Sequence, residues 1–250
     1  MLSALVLAGS LNRGRLQECS REPYEAMISI GGRSMVSYVV QALLNCARVG
    51  RVLVVGPEIA DLPDGVEVVA PAGDLLDNVE RGVRALGDAG QVLLATCDIP
   101  LLSGRAVENF LCLCRQRQAD IYYPVIERQL IESRYAGAER TYVHFKEGDY
   151  TGGNLILFDP AILPRCLERG RQLVAARKSP LRLAGLVGWG FLLRFLLRRI
   201  TLAEAERKVS QLLGVEGAVV LCSDPEVGVD VDKPSDLLLV RRVLSPGPVS

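Results

Sequence analysis

Residues 91–102 read Gln91-Val92-Leu93-Leu94-Ala95-Thr96-Cys97-Asp98-Ile99-Pro100-Leu101-Leu102. An uncharged run of this length, ending at a carboxylate followed by proline, fits a strand buried on both faces, as the strands of parallel sheets are. Similar runs recur on both sides of it, at 3–8 (SALVLA), 51–56 (RVLVVG), 66–70 (VEVVA), 121–125 (IYYPV), 154–158 (NLILF) and 218–222 (AVVLC). The stretches 34–47, 74–87, 103–118 and 160–175 between them carry apolar residues at helical spacing. Alternating strands and helices predict an α/β fold with a doubly wound, mostly parallel, Rossmann-like sheet, because each parallel crossover needs a helix to return the chain. Residues 141–158, with Glu147-Gly148-Asp149 between two short extended runs, predict a hairpin added to that sheet.

Composition narrows the class further. At 250 residues and 27.1 kDa the chain fits one domain, spanning 1–250, with a helical insertion at 165–213 and a returning segment at 215–244. Hydrophobic residues make up 49%, enough for a substantial core and too many for a disordered chain. The 29 basic and 29 acidic residues balance, so no global field draws the chain to nucleic acid. Seven cysteines, mostly inside apolar runs, suit buried free thiols and a cytoplasmic location, and with a single histidine they argue against structural zinc. The start MLSALVLAG lacks the basic region of a signal peptide and reads as a first strand. The uncharged stretch 183–193 is too short to span a bilayer, and the tail SPGPVS is expected to fray.

In such sheets ligands bind beyond the carboxyl ends of the strands. After the first strand stand Ala8-Gly9-Ser10-Leu11-Asn12-Arg13-Gly14-Arg15-Leu16. The Gly9 to Gly14 spacing approaches a phosphate-binding P-loop, but Arg15-Leu16 replaces its Lys-Ser/Thr pair. The stretch is also not G-x-G-x-x-G, which leaves a basic glycine loop able to offer N–H groups to phosphate, or an ordinary turn. Asp98 ends the strand quoted first, where a lone carboxylate suits a hard divalent cation or caps the next helix. Asp230 and Asp232, in GVDVDKPSDL, alternate as on a strand and can point to one side, ahead of Ser235 and Asp236 in a helical first turn. Two acidic strand ends in one fold point to a Mg²⁺ site.

The order ALVLAG, GGRSMVSYVVQAL, LLATCDIPLL, TGGNLILF and GVDVDKPSDL resembles the molybdenum cofactor guanylyltransferase-like nucleotidyltransferases, within the sugar-phosphate nucleotidyltransferase superfamily. The resemblance covers about 3–160 and 215–244. It implies Mg²⁺-dependent transfer of NMP from an NTP to a phosphate or phosphosugar acceptor, with release of pyrophosphate. It also implies roles for residues. Asp98 and Asp232, or the adjacent Asp230, would hold the metal, and Gly9 to Arg15 would cover the triphosphate, with Ala8, Ser10 and Arg13 among the nucleotide contacts and Arg15 in the transfer itself. Gly73 and Asn78 would meet the base or ribose, and Gly152, Gly153 and Asn154 the acceptor. Two positions depart from the family pattern: Ser10 stands for a second glycine and Glu25 for a lysine that neutralises the triphosphate. These departures favour an alternative, a catalytically weakened nucleotide-binding or regulatory protein of the same fold.

Transfer to an anionic phosphate oxygen needs no general base, in keeping with the single histidine. His144 is either an acceptor contact or structural. Residues 165–208 hold eleven basic residues against Glu168, Glu204 and Glu206. Arg177 and Lys178, ahead of a presumed helix start, are the expected acceptor-phosphate contacts, with Arg140 and Lys146 as lesser candidates. The same basic stretch also suits a solvated face, a homodimer contact or a peripheral membrane surface.

Overall fold

The computed structural model describes residues 1–176 and 180–244. Arg177, Lys178 and the SPGPVS tail lie outside the described residues.

The strands are β1 (Leu2–Leu7), β2 (Ser29–Ile30), β3 (Arg33–Ser34), β4 (Val49–Val55), β5 (Glu67–Val69), β6 (Val92–Thr96), β7 (Ile121–Glu127), β8 (Val143–His144), β9 (Asp149–Gly152), β10 (Leu155–Phe158) and β11 (Gly217–Leu221). The helices are α1 (Met35–Leu44), α2 (Leu75–Leu86), α3 (Gly104–Cys114), α4 (Arg128–Arg134), α5 (Leu163–Ala176), α6 (Pro180–Val187), α7 (Trp189–Leu196), α8 (Leu202–Leu213) and α9 (Pro234–Leu244). β1 lies parallel between β4 and β6, β5 extends that half, and β11 lies parallel to β7. Every apolar run noted in the sequence lies in the main sheet.

The central strands β1 and β6 are almost wholly apolar because both their faces are covered. Ala4, Val6 and Ala8 face a core with Met35, Phe110 and Ile131, while Leu5 and Leu7 alternate onto the other face with Val79, Phe158 and Ile162. α2 begins at a reciprocal cap in which the Asp74 carboxylate accepts from Asp77 N, and the Asp77 carboxylate from Asp74 N. The apolar stretch 183–193 is broken at Gly188, whose φ is 88°, into α6 and α7. No helix among the described residues is long and apolar enough to cross a membrane.

The expected hairpin is only half of what residues 141–158 form. β8 and β9 pair antiparallel, but β10 enters the sheet interior, antiparallel to both β6 and β7. β9 and β10 run along the same side of β7, with Val125 opposite Gly152 and Tyr122 opposite Leu157. Between those pairs two residues of β7 are thus matched by four, and the two extra, Gly153 and Asn154, form a bulge at the end of β6.

Candidate active site

Two acidic segments meet where β6 ends. Asp98 follows β6, and its backbone oxygen accepts from Val231 N at 2.8 Å, which draws the 229–233 segment alongside. Asp230 and Asp232 lie on extended chain between a short helical turn (Pro225–Gly228) and α9, not on the strand their alternation implied. What holds them is a cap: the buried Asp236 carboxylate accepts from Asp232 N at 3.1 Å and Lys233 N at 3.2 Å. Carboxylate oxygens of Asp98, Asp230 and Asp232 lie within 4.8 Å of one another. This is the cluster the sequence motifs pointed to, and its all-oxygen donor set fits a hard divalent cation.

Burial, and then the charge of Asp232, push the Asp98 carboxyl up to about 6, although the Thr96 hydroxyl donates to it and opposes the shift. Three anions this close are costly without a cation between them. One is already countered: Arg140, its side chain only 8% exposed, pairs with the Asp230 carboxylate and also donates to the Asp230 backbone oxygen at 2.7 Å. Arg140 is therefore committed to the acidic cluster and is not the free acceptor contact the sequence suggested. Beside it, Lys233 Nζ pairs with Glu139 at 2.5 Å.

The first loop lies next to this cluster. Ala8 is buried, with its N–H donating to Val55 O, and Gly9 packs so closely that an added Cβ would lie 2.7 Å from Pro71 Cβ and 3.1 Å from Asn78 Nδ2. Asn78, also buried, accepts from Ala72 N at 2.6 Å through Oδ1, so it ties the Pro71 to Gly73 turn to its helix and to Gly9. Gly73 is exposed above the α2 cap. The two departures from the family pattern are neighbours: Glu25 N donates to Ser10 O at 3.1 Å, and the Ser10 side chain favours the ionised Glu25 carboxylate. Partial burial and Asp232 nonetheless raise the Glu25 pKa. Arg13 and Arg15 are exposed, and Arg15 makes a 3.9 Å pair with Glu18. Asn12, which the motifs did not single out, closes the loop by donating to Ser20 O and Glu22 O.

The third segment, at the bulge, is Gly152-Gly153-Asn154. Gly153 N donates to Pro124 O and Asn154 N to Val227 O, each at 2.9 Å, while Asn154 O accepts from Thr96 N at 3.2 Å, two residues before Asp98. An added Cβ at Gly153 would press on Val227 and Pro124. His144 is engaged elsewhere, its Nδ1 2.5 Å from the Asp149 carboxylate on the outer hairpin. Lys146 donates from its backbone to Ile200 O. The seven cysteines are free, with Cys46, Cys97, Cys114 and Cys222 buried.

Comparison with known proteins identifies the family and the fold. The model of the MobA-like NTP transferase domain matches residues 4–185. A solved structure described as a hypothetical transferase from Thermus thermophilus is 38% identical, covers 94% of this chain and 99% of its own, and superposes with a TM-score of 0.81. The 2-C-methyl-D-erythritol 4-phosphate cytidylyltransferase of Thermus thermophilus shares the fold at 16% identity, with 97% and 98% coverage and a TM-score of 0.55. A cytidylyltransferase of the same name from Rhodococcus jostii is 33% identical over 98 residues, which is 35% of this chain and 43% of that protein. The chain belongs to the MobA-like NTP transferase domain family, whose members are nucleotidyltransferases.

Proposed function

We propose that this protein transfers NMP from an NTP to a phosphate-bearing small molecule, with Mg²⁺ at Asp98, Asp230 and Asp232 and with release of pyrophosphate. The observation that carries the reading is the convergence of these carboxylates, from two separate segments, beside the Gly153-Asn154 bulge. Bound there, the cation would supply charge neutralisation to the phosphates. The first loop would receive the triphosphate on backbone N–H groups after Gly9, with Arg13 and Arg15 as exposed cations at its rim. Gly73 and Asn78 would bound the nucleoside, and Gly152 to Asn154 would position the acceptor. Arg177 and Lys178 remain part of the proposal as acceptor-phosphate contacts.

In the transfer, an acceptor phosphate oxygen forms a bond to the α-phosphorus while the bond from that phosphorus to the α–β bridging oxygen breaks, and that oxygen leaves with pyrophosphate. The attacking oxygen is already anionic, so the chain has only to align it in line and stabilise charge. The burial and the Asp232 charge that raise the Asp98 pKa are what a cation bound between these carboxylates would offset. CTP is the first nucleotide to try, since two of the related proteins are cytidylyltransferases.

The test pairs each of the four NTPs and Mg²⁺ with a panel of phosphomonoesters and follows ³¹P signals. A new diphosphate diester together with pyrophosphate is expected. Nucleotide binding with no such product for any acceptor, and no pyrophosphate, would favour the weakened nucleotide-binding protein instead.

A further inference from the structure

A cavity of about 370 Å³ lies on the face of β7 opposite Pro124 and Ile126. Tyr123 and Val125 of β7 and Val219 of β11 form its floor, Val209 and Leu213 of α8 its wall, and Phe145 its end. Ligand pockets run from roughly 300 to 1,000 Å³, so the space holds a short chain. Two polar side chains of α8 face it, and both are already engaged. The Glu206 carboxylate accepts from Arg117 and from Val219 N, each at 2.7 Å, and the Ser210 hydroxyl accepts from Gly217 N at 3.1 Å. A polar ligand would find little left to bond, whereas an apolar one gains by leaving water.

Tyr123 connects the cavity to the Gly152 to Asn154 segment: it lines the cavity and stretches across to Gly152, where any Cβ would fall on the Tyr123 hydroxyl. At the other end Phe145 packs edge-on against Phe195 of α7, with ring centres 6.2 Å apart. On α7 itself Trp189, Leu193 and Leu196, followed by Leu197, are each more than half exposed at spacings of four, seven and eight residues, and Arg198 and Arg199 come next. An apolar helical stripe bordered by arginines suits contact with an amphiphile whose head is anionic.

We infer that the acceptor is an amphiphilic phosphate, the monoester of an aliphatic or prenyl alcohol, with its phosphate at the Gly152 to Asn154 segment and its chain in the cavity between α8 and the sheet. This rests on the transferase reading for the placement of the phosphate, and the cavity supplies the chain's site independently.

The experiment compares decyl phosphate with ethyl phosphate, both below the concentration at which decyl phosphate aggregates. It measures calorimetric binding with and without NTP and Mg²⁺, and pyrophosphate release. Decyl phosphate is expected to bind at least a hundredfold tighter. Filling the cavity with Val209→Trp, or with Ala205→Phe if the first variant does not fold, should bring the two esters within threefold of each other while NTP binding is unchanged. Tight decyl phosphate binding that the fillings abolish, without any transfer, keeps the cavity assignment and removes the transferase reading. Transfer to ethyl phosphate as efficient as to decyl phosphate, in the parent and in both variants, overturns the cavity assignment and leaves the transferase reading standing. Equal, weak binding of both esters overturns the cavity assignment as well.

Discussion

At the ends of β1 and β6 the chain is held by its own backbone and by contacts with no slack: Gly9 against Pro71 and Asn78, Val231 N on Asp98 O, Thr96 N on Asn154 O. Across β7 the same sheet is covered by α8 over a void of about 370 Å³, and the helix leading there carries an exposed apolar stripe. One end of the sheet is built to a fixed geometry and the other leaves room. That contrast fits an enzyme whose nucleotide chemistry is constant and whose acceptor is set by what fills the space. It also predicts that small substitutions near Asp98 cost far more than large ones around the cavity.

The largest effect is expected at the metal. Asp98→Asn should lower Mg²⁺-dependent transfer by at least about 10³-fold, roughly 4 kcal/mol, in a folded protein, as steady-state assays would read. The same change should stabilise the cation-free chain. A carboxyl at about 6 when folded and 3.8 when unfolded holds its proton better in the folded state, so its contribution is best below pH 4 and is lost as pH rises to 6 and beyond. Melting curves without metal should show the variant ahead at pH 8, by up to about 3 kcal/mol, and level with the parent at pH 4. Unchanged turnover would take Asp98 out of the site.

Next comes the pair of departures. Since Glu25 N bonds Ser10 O and the Ser10 side chain favours the Glu25 carboxylate, Glu25→Lys alone should weaken NTP binding about tenfold, and Ser10→Gly with Glu25→Lys should recover most of it, a coupling of roughly 1.4 kcal/mol. Additive effects in that double-mutant cycle, read by calorimetry, would make the two substitutions independent accidents. Gly9→Ala comes third: the Cβ must displace Pro71 or Asn78, for about 1–3 kcal/mol of stability in denaturant titration. The smallest effect belongs to the outer hairpin, where His144→Gln removes one half-buried pair with Asp149 at the sheet's edge and should cost under about 1 kcal/mol, with transfer unchanged.

The strands are legible in the sequence because a strand buried on both faces writes its burial as an unbroken apolar run, as 3–8 and 91–96 do. The position of β10 is not: nothing local in Asn154-Leu155-Ile156-Leu157-Phe158 distinguishes an antiparallel strand inside the sheet from one arm of a hairpin. The β2–β3 hairpin turns at Gly31 and Gly32, both at positive φ, so its signal in the sequence is that glycine pair and not the two-residue strands on either side. In the site, Asp98 can be found because it directly follows an apolar run, and Asp230 and Asp232 because they alternate just ahead of a helix start. The Arg140 pair with Asp230 joins residues ninety apart through a loop with no periodicity, so only the folded chain reveals that this arginine belongs to the carboxylates. Ser10 and Glu25 each read as a loss until their contact shows them to be one arrangement.

The central claim is that Asp98 and its two neighbours bind a divalent cation together with an NTP, and thermal shift with each NTP, with and without Mg²⁺, tests it most directly. A ligand at a hundred times its Kd adds about 2.7 kcal/mol, which for a chain of this size raises Tm by roughly 5–10 °C. The account predicts such a rise for at least one NTP with Mg²⁺, little without it, and none in Asp98→Asn. An NTP shift of the same size without Mg²⁺, or one that persists in Asp98→Asn, would contradict it.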